Sequence, residues 1–252
     1  MWASLDRMPV IVLLRHGLST ANTAGILAGR APGVSLTDQG VSALESTLRM
    51  LPHRGFSRLL HSPLQRCEQT ARLAASHAEF AAIEADEDII ELDYGEWTGR
   101  SLRDLASEPE WKTVVEHASQ AQFPGGESIA EAADRAVGRV RSVVEELRAE
   151  EAARRVEAEA AAAVEAAAAA GRESPATADI RQWAMLVSHG DIIKAIIADA
   201  LGMPLDDFQR IAVAPGSFTV IDYSGRHPVL TAMSVTAAGL AESGTPGGGG
   251  LH

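Results

Sequence analysis

The chain has 252 residues and a formal net charge of −12, enough length for one large α/β domain or two small ones, and a charge that repels nucleic acid and anionic membrane surfaces. Its single cysteine, Cys67, excludes an internal disulfide framework. No apolar run reaches the roughly 18 residues that span a bilayer, and residues 1–7 lack the basic-then-apolar order of a secretion signal, so the expectation is a cytoplasmic protein with neither membrane nor nucleic acid as a partner.

Residues 9–14 (Pro-Val-Ile-Val-Leu-Leu) form a short β-branched run that reads as a strand buried on both faces. The chain then turns polar at Arg15-His16-Gly17, the position beyond a strand's carboxyl end where open α/β sheets place their ligands. Thr37 is a good N-cap, and Val41, Leu44, Leu48 and Leu51 follow at helical spacing. Residues 57–62 read as a second strand. Ser62-Pro63 then opens a helix, with Ser as cap and Pro in the first turn, and Leu64, Cys67, Ala71 and Ala74 as its inner face.

Residues 87–92 read as another strand, and the glycine-punctuated segment 94–99 as a loop. Ile129, Ala133, Val137, Val140, Val144 and Leu147 mark one face of a helix entered near Ser128. From about residue 149 the sequence is almost pure Ala and Glu, helical by propensity but with little apolar bulk to bury. It reads as a protruding extension followed by a flexible stretch at 171–178. Residues 183–188 (Trp-Ala-Met-Leu-Val-Ser) form the next buried strand, ending in His189-Gly190-Asp191. A helix follows through Leu201, closed by Gly202. Residues 217–223 and 229–235 read as late strands. Strands alternating with helices predict one three-layer α/β/α sandwich with a mostly parallel central sheet. The domain spans 1–240, with the Ala/Glu-rich helical insertion at about 149–178 and a flexible glycine-rich tail over 241–252.

Two strands thus end alike, one in Arg15-His16-Gly17 and the other in His189-Gly190-Asp191. If they are parallel neighbours, both histidines meet at one edge of the sheet.

The segment Arg15-His16-Gly17-Leu18-Ser19-Thr20-Ala21-Asn22 resembles the signature of the histidine phosphatase superfamily, which includes the cofactor-dependent phosphoglycerate mutases and many acid phosphatases. The likeness continues through the blocks at 62–71, 91–99, 124–128 and 187–191, in the family's order. It implies a phosphoglycerate mutase-like fold. It also implies His16 as nucleophile, taking the phosphoryl group as phosphohistidine. Neutral imidazole, with a reference pKa of about 6.5, offers a lone pair near neutrality without a helper base, provided its other nitrogen donates to a fixed acceptor. A backbone carbonyl near Gly17 is expected to serve.

Arg15, Arg66 and His189 match the family's phosphate pocket, where forked guanidinium donors hold the equatorial oxygens. Asn22, Ser19 and Gly190 match further phosphate-contacting positions. Glu91 matches the proton donor, a role that needs a raised pKa. Glu127 fits either a helix terminus or the pocket rim. The resemblance implies no metal and no cofactor, a small phosphorylated substrate, and favours a homodimer.

Cys67 near Arg72 lacks the glycine-rich phosphate loop of a cysteine phosphatase, and the remaining histidines show no ligand spacing for a metal. A phosphomutase would need a cluster of basic residues after the Glu91 block. Here Arg100, Arg103 and Lys112 are scattered among Asp104, Glu108 and Glu110. A phosphatase is therefore preferred. The phosphoglycerate mutase-type phosphomutase and a non-catalytic phospho-ligand binder stay open as alternatives, with Arg30, Arg100 and Arg103 as candidate substrate contacts.

Overall fold

In the computed structural model, which describes residues 9–168 and 182–238, two fully apolar strands lie side by side at the centre. β1 (Val10–Arg15) is buried at every position, and β6 (Trp183–Ser188) at all but its first. Around them stand β2 (Gly55–Phe56), β3 (Arg58–His61), β4 (Glu79–Phe80), β5 (Ile83–Ala85), β7 (Phe218–Asp222) and β8 (Val229–Val235). Six of these form one sheet in the order β5-β3-β6-β1-β7-β8, while β2 and β4 form a separate pair. Pairing is parallel from β5 across to β1 and antiparallel for β1–β7 and β7–β8. The sheet is mostly parallel, as expected.

Period-2 alternation along the central strands divides the interior into two cores. Val10, Val12 and Leu14 of β1 and Met185 and Val187 of β6 face one core, which is closed by α2 (Asp38–Leu48) and α3 (Gln65–Ala75). Ile11, Leu13, Ala184 and Leu186 face the other, which is closed by α6 (Ile129–Ala168) and α7 (Gly190–Ala200). The shorter helices α1 (Thr20–Ala24), α4 (Leu102–Leu105) and α5 (Trp111–Glu116) lie in the connections.

Helix α2 starts where its cap predicts, with Thr37 Oγ1 accepting from Gly40 N at 3.0 Å. A Cβ on Gly40 would stand 2.2 Å from Leu18 O, so this glycine lets α2 press against the loop that follows His16.

Two local expectations are corrected. Helix α3 begins at Gln65, and its N-cap Leu64 makes no side-chain cap bond. Ser62 lies two residues before this cap; its hydroxyl accepts from Leu64 N at 3.4 Å and stands 2.7 Å from His189 Nε2. Residues 87–92 are not a strand. Glu87–Ile89 is a 3₁₀ turn capped by Asp86, and the extended residues beyond it bond to side chains instead of to a neighbouring strand. The strand of this region is β5, earlier in the chain. The loop at 94–99 contains a short 3₁₀ turn, Gly95–Trp97.

Helix α6 buries Ile129, Ala133, Val140, Val144 and Leu147 as the spacing predicts, together with Ala132, Ala136 and Val143; Val137 is half-buried. Arg58 of β3 ties the helix down through Glu146 and Glu150. Beyond that anchor, residues 152–161 are exposed. Residues 171–178 and the tail from 241 lie outside the described residues. No described helix is long and apolar enough to cross a membrane.

Candidate active site

The parallel register of β1 and β6 sets Arg15 opposite Ser188, so the next residue of each strand meets the other. His16 and His189 adjoin edge to face, with ring centroids 5.3 Å apart. Backbone bonds fix the first of them. His16 N donates to Ser188 O at 3.0 Å, and Gly216 N donates to His16 O at 2.9 Å. The ring is fixed as well, since His16 Nδ1 lies 2.8 Å from Gly17 O. A carbonyl only accepts, so Nδ1 carries the proton and Nε2 keeps its lone pair. This is the acceptor the sequence predicts. Burial, followed by the charges of Arg66 and Arg15, holds the His16 pKa well below the ordinary histidine value, against the opposing pull of the Gly17 bond. The imidazole is neutral at neutral pH.

Arg15 points back under the site, with Nη1 donating to Val213 O. Burial lowers its pKa, and Glu91 and Asp191 offset part of that effect; a guanidinium stays charged under such conditions. Gly190 packs on this guanidinium, and a Cβ there would come within 3.2 Å of Arg15 Cζ. Arg66, on the first turn of α3, is only 2% exposed. Its Nη2 donates to Gly29 O at 2.8 Å and to His189 Nδ1 at 3.1 Å. Because arginine only donates, Nδ1 of His189 is an acceptor, and Nε2 carries the proton toward Ser62 Oγ. Burial, then Arg66, His16 and Arg15, depress the His189 pKa far below its usual range. Cys67 Sγ sits 3.4 Å from the same Nε2, and burial pushes its thiol up to about 12; it packs as a neutral group.

Glu91 enters from the irregular segment after the 3₁₀ turn. Its Oε1 accepts from Leu92 N at 3.0 Å, and its Oε2 lies 3.8 Å from His189 Nδ1. Burial, with Asp191 adding to it, raises its pKa to about 7, against the opposing pull of Arg66, the Leu92 bond and Arg15. A carboxyl poised near neutrality can both give and take a proton.

What holds Glu91 is a clamp of side chains. Arg30 Nε donates to Glu91 O at 2.9 Å, and Arg135 Nη2 donates to the same oxygen at 3.3 Å. Both guanidinium groups also bond Glu127 Oε1 at 2.9 Å, which in turn accepts from Asp93 N at 2.9 Å. Glu127 is therefore the keystone behind Glu91. Arg30 is spent on the clamp, Arg100 pairs with Glu108, and Arg103 is exposed on α4.

The cleft is lined by Arg15, His16, Ser19, Asn22, Arg66 and Glu91, with residues 26–29, Tyr94 and Asp191 completing its walls. Ser19 and Asn22 cap α1 reciprocally: Asn22 Oδ1 accepts from Ser19 N and Oγ at 3.1 and 2.8 Å. His189 and Gly190 are buried behind this lining. Arg135, Ser62, Tyr94 and Asp191 join the site without being assigned to it from the sequence. Ser62, Tyr94 and Asp191 fall within the blocks at 62–71, 91–99 and 187–191 that carry the family resemblance; Arg135 falls in none of them and is joined to the site by a long-range contact.

The sequence profile of the histidine phosphatase superfamily (branch 1) matches residues 11–158 and 148–236. The chain belongs to the histidine phosphatase superfamily. The adenosylcobalamin/α-ribazole phosphatase of Escherichia coli (strain K12) is 23% identical over 233 residues, covering 90% of this chain and 97% of that one. Phosphoserine phosphatase 1 of Hydrogenobacter thermophilus is 25% identical over 234 residues, covering 91% and 93%. The crystal structure of a phosphoserine phosphatase from Entamoeba histolytica in complex with 3-phosphoglyceric acid shares the fold of this superfamily member. Its TM-score is 0.69 at 20% identity, over 91% of this chain and 98% of that one.

Proposed function

We propose that this chain is a metal-independent phosphomonoesterase working through a phosphohistidine on His16. One observation carries the reading: a buried, neutral His16 with its tautomer fixed by Gly17 O lines the same cleft as two guanidinium groups and a carboxyl raised to about 7. The phosphatase relatives support it.

Arg15 and Arg66 would neutralise the phosphoryl oxygens, joined by the Ser19 and Asn22 positions at the mouth of α1. His16 Nε2 attacks phosphorus, the bond to the ester oxygen breaks, and Glu91 gives its proton to the departing alcohol. Water then attacks the phosphohistidine, Glu91 takes up the water's proton, and the phosphorus–nitrogen bond breaks to release inorganic phosphate. His189 would act from behind by orienting Arg66. The single buried thiol fits a reducing compartment such as the cytoplasm.

The test is hydrolysis of an aryl phosphate by the purified protein in excess EDTA, with quenching in alkaline detergent to trap a phosphoprotein that is stable to alkali and lost on acid treatment. Activity that requires added metal, or a labelled species that survives acid, overturns the mechanism. A phosphomutase would show phosphoglycerate interconversion stimulated by a bisphosphate primer.

A further inference from the structure

Asp191 is a carboxylate in a cleft otherwise arranged to receive a dianion. It lines the same walls as His16 and Arg66, and both of its oxygens are held from within the protein. Tyr94 Oη donates to Oδ2 at 2.8 Å, and Lys194 Nζ approaches Oδ1 at 3.2 Å. Lys194 is buried; its ammonium is steadied by Gln209 Oε1 at 2.9 Å and lies 5.6 Å from the centre of the Phe208 ring. The Asp191 side chain keeps 12% of its exposure while the Lys194 side chain keeps 1%. The ion pair therefore turns its negative end to the cleft and hides its positive end.

The charges of the cleft can be followed one by one. A phosphate monoester brings up to two negative charges, and the cations lining the cleft are Arg15 and Arg66. Arg30 and Arg100, the nearby sequence candidates, are occupied by Glu127 and Glu108. Among the described residues no lining cation is left for a second anionic group, and Asp191 repels one. Ile26, Leu27 and Ala28, which also line the cleft, are half-buried and uncharged. Burial together with Asp191 and Glu91 raises the Tyr94 pKa far above its usual value, so its hydroxyl remains a donor that holds the carboxylate in place.

We infer that the cleft selects phosphate monoesters whose alcohol portion carries no further negative charge, and that Asp191 is the residue setting this preference. The inference rests on the phosphomonoesterase reading above for its kinetics and on the cleft alone for its binding.

Matched pairs test it. Glycerol 3-phosphate and 3-phosphoglycerate differ by a hydroxymethyl against a carboxylate, as phosphoethanolamine and phosphoserine differ by one carboxylate. The full chain should favour the member without the carboxylate in each pair by about tenfold or more in kcat/KM, the scale of one like-charge repulsion in a partly screened cleft. Asp191→Asn should shrink that ratio. Asp191→Asn/Lys194→Met should shrink it too, without leaving a buried ammonium unpaired. The same preference should appear as a ratio of Kd values by calorimetry on the His16→Ala protein, where turnover is stopped. Equal handling of both members by the unmodified chain, or a ratio unmoved in the double variant, overturns the inference. Loss of all turnover with the Kd ratio preserved would instead count against the phosphomonoesterase reading alone.

Discussion

His16 and Glu91 face the same cleft, yet the fold holds them by opposite means. His16 follows a strand buried on both faces and is tied by backbone bonds to Ser188 and Gly216. Glu91 lies in a segment without a ladder partner and is held by Arg30 and Arg135 through its carbonyl, with Glu127 behind them. The first arrangement is as rigid as the sheet. The second depends on three long charged side chains, each of which can be removed singly. The difference separates a group whose position is fixed by the core from one whose position, and with it proton delivery, is fixed by an ionic clamp.

The largest effect should come from the sheet-held side. His16→Ala should lose on the order of 10⁴-fold or more in kcat while retaining a wild-type circular dichroism spectrum, because nucleophile loss removes the pathway. Substantial residual turnover would break the assignment of roles on which the contrast rests. Arg66→Ala should cost roughly 10³-fold, the scale for a lost donor to a developing charge, and should raise the His189 pKa in part, since burial, the larger cause of its depression, remains, visible as a shifted imidazole resonance in NMR.

On the clamped side, Glu91→Gln should lower kcat by about 10²-fold, the scale for one proton-transfer group. It should also abolish a fall in kcat/KM that the unmodified chain shows as pH rises through about 7. Stability should respond with a definite sign. The folded state holds the Glu91 proton more tightly than the unfolded chain does, so ionisation costs stability progressively as pH rises from 4.5 to about 7. Glu91→Gln should therefore be more stable than the unmodified chain at pH 8, by at most ~3 kcal/mol, and the gap should narrow to under about 1 kcal/mol at pH 5. Denaturant titrations at the two pH values measure it. Arg135→Met should have the smallest effect, roughly tenfold in kcat with KM little changed. Equal losses in kcat and stability with no kcat-against-KM split would reduce the clamp to a structural brace.

The same contrast explains what the sequence revealed. β1 and β6 were legible because a strand buried on both faces is an unbroken apolar run, and a polar residue after such a run announces a site. The register that brings His16 to His189 then follows from parallel pairing. The Glu91 region was misread as a strand because Ile89, Ile90 and Leu92 look like one. In the fold their burial comes from packing, and the backbone groups are satisfied by Arg30, Arg135 and Glu127, of which Arg30 and Glu127 lie 97 residues apart in sequence. No local pattern encodes such a partner. Ser62 was misread as well. Ser-Pro before a helix is a strong cap signal, but the helix starts at Gln65 with Leu64 as its cap, and the Ser62 hydroxyl reaches Leu64 N at 3.4 Å while lying 2.7 Å from His189 Nε2.

Because Arg66 presents only donors, the chain from Ser62 through His189 to Arg66 has one allowed direction and no vacancy for an added proton. In the mechanism proposed above, His189 therefore stands outside the traffic of exchangeable hydrogens during turnover, and Glu91 would carry that traffic alone. In mixtures of H₂O and D₂O this has a simple signature: the rate of the proton-dependent step should fall in a straight line with deuterium content, as for a single proton in flight, where a two-histidine relay would give a curve.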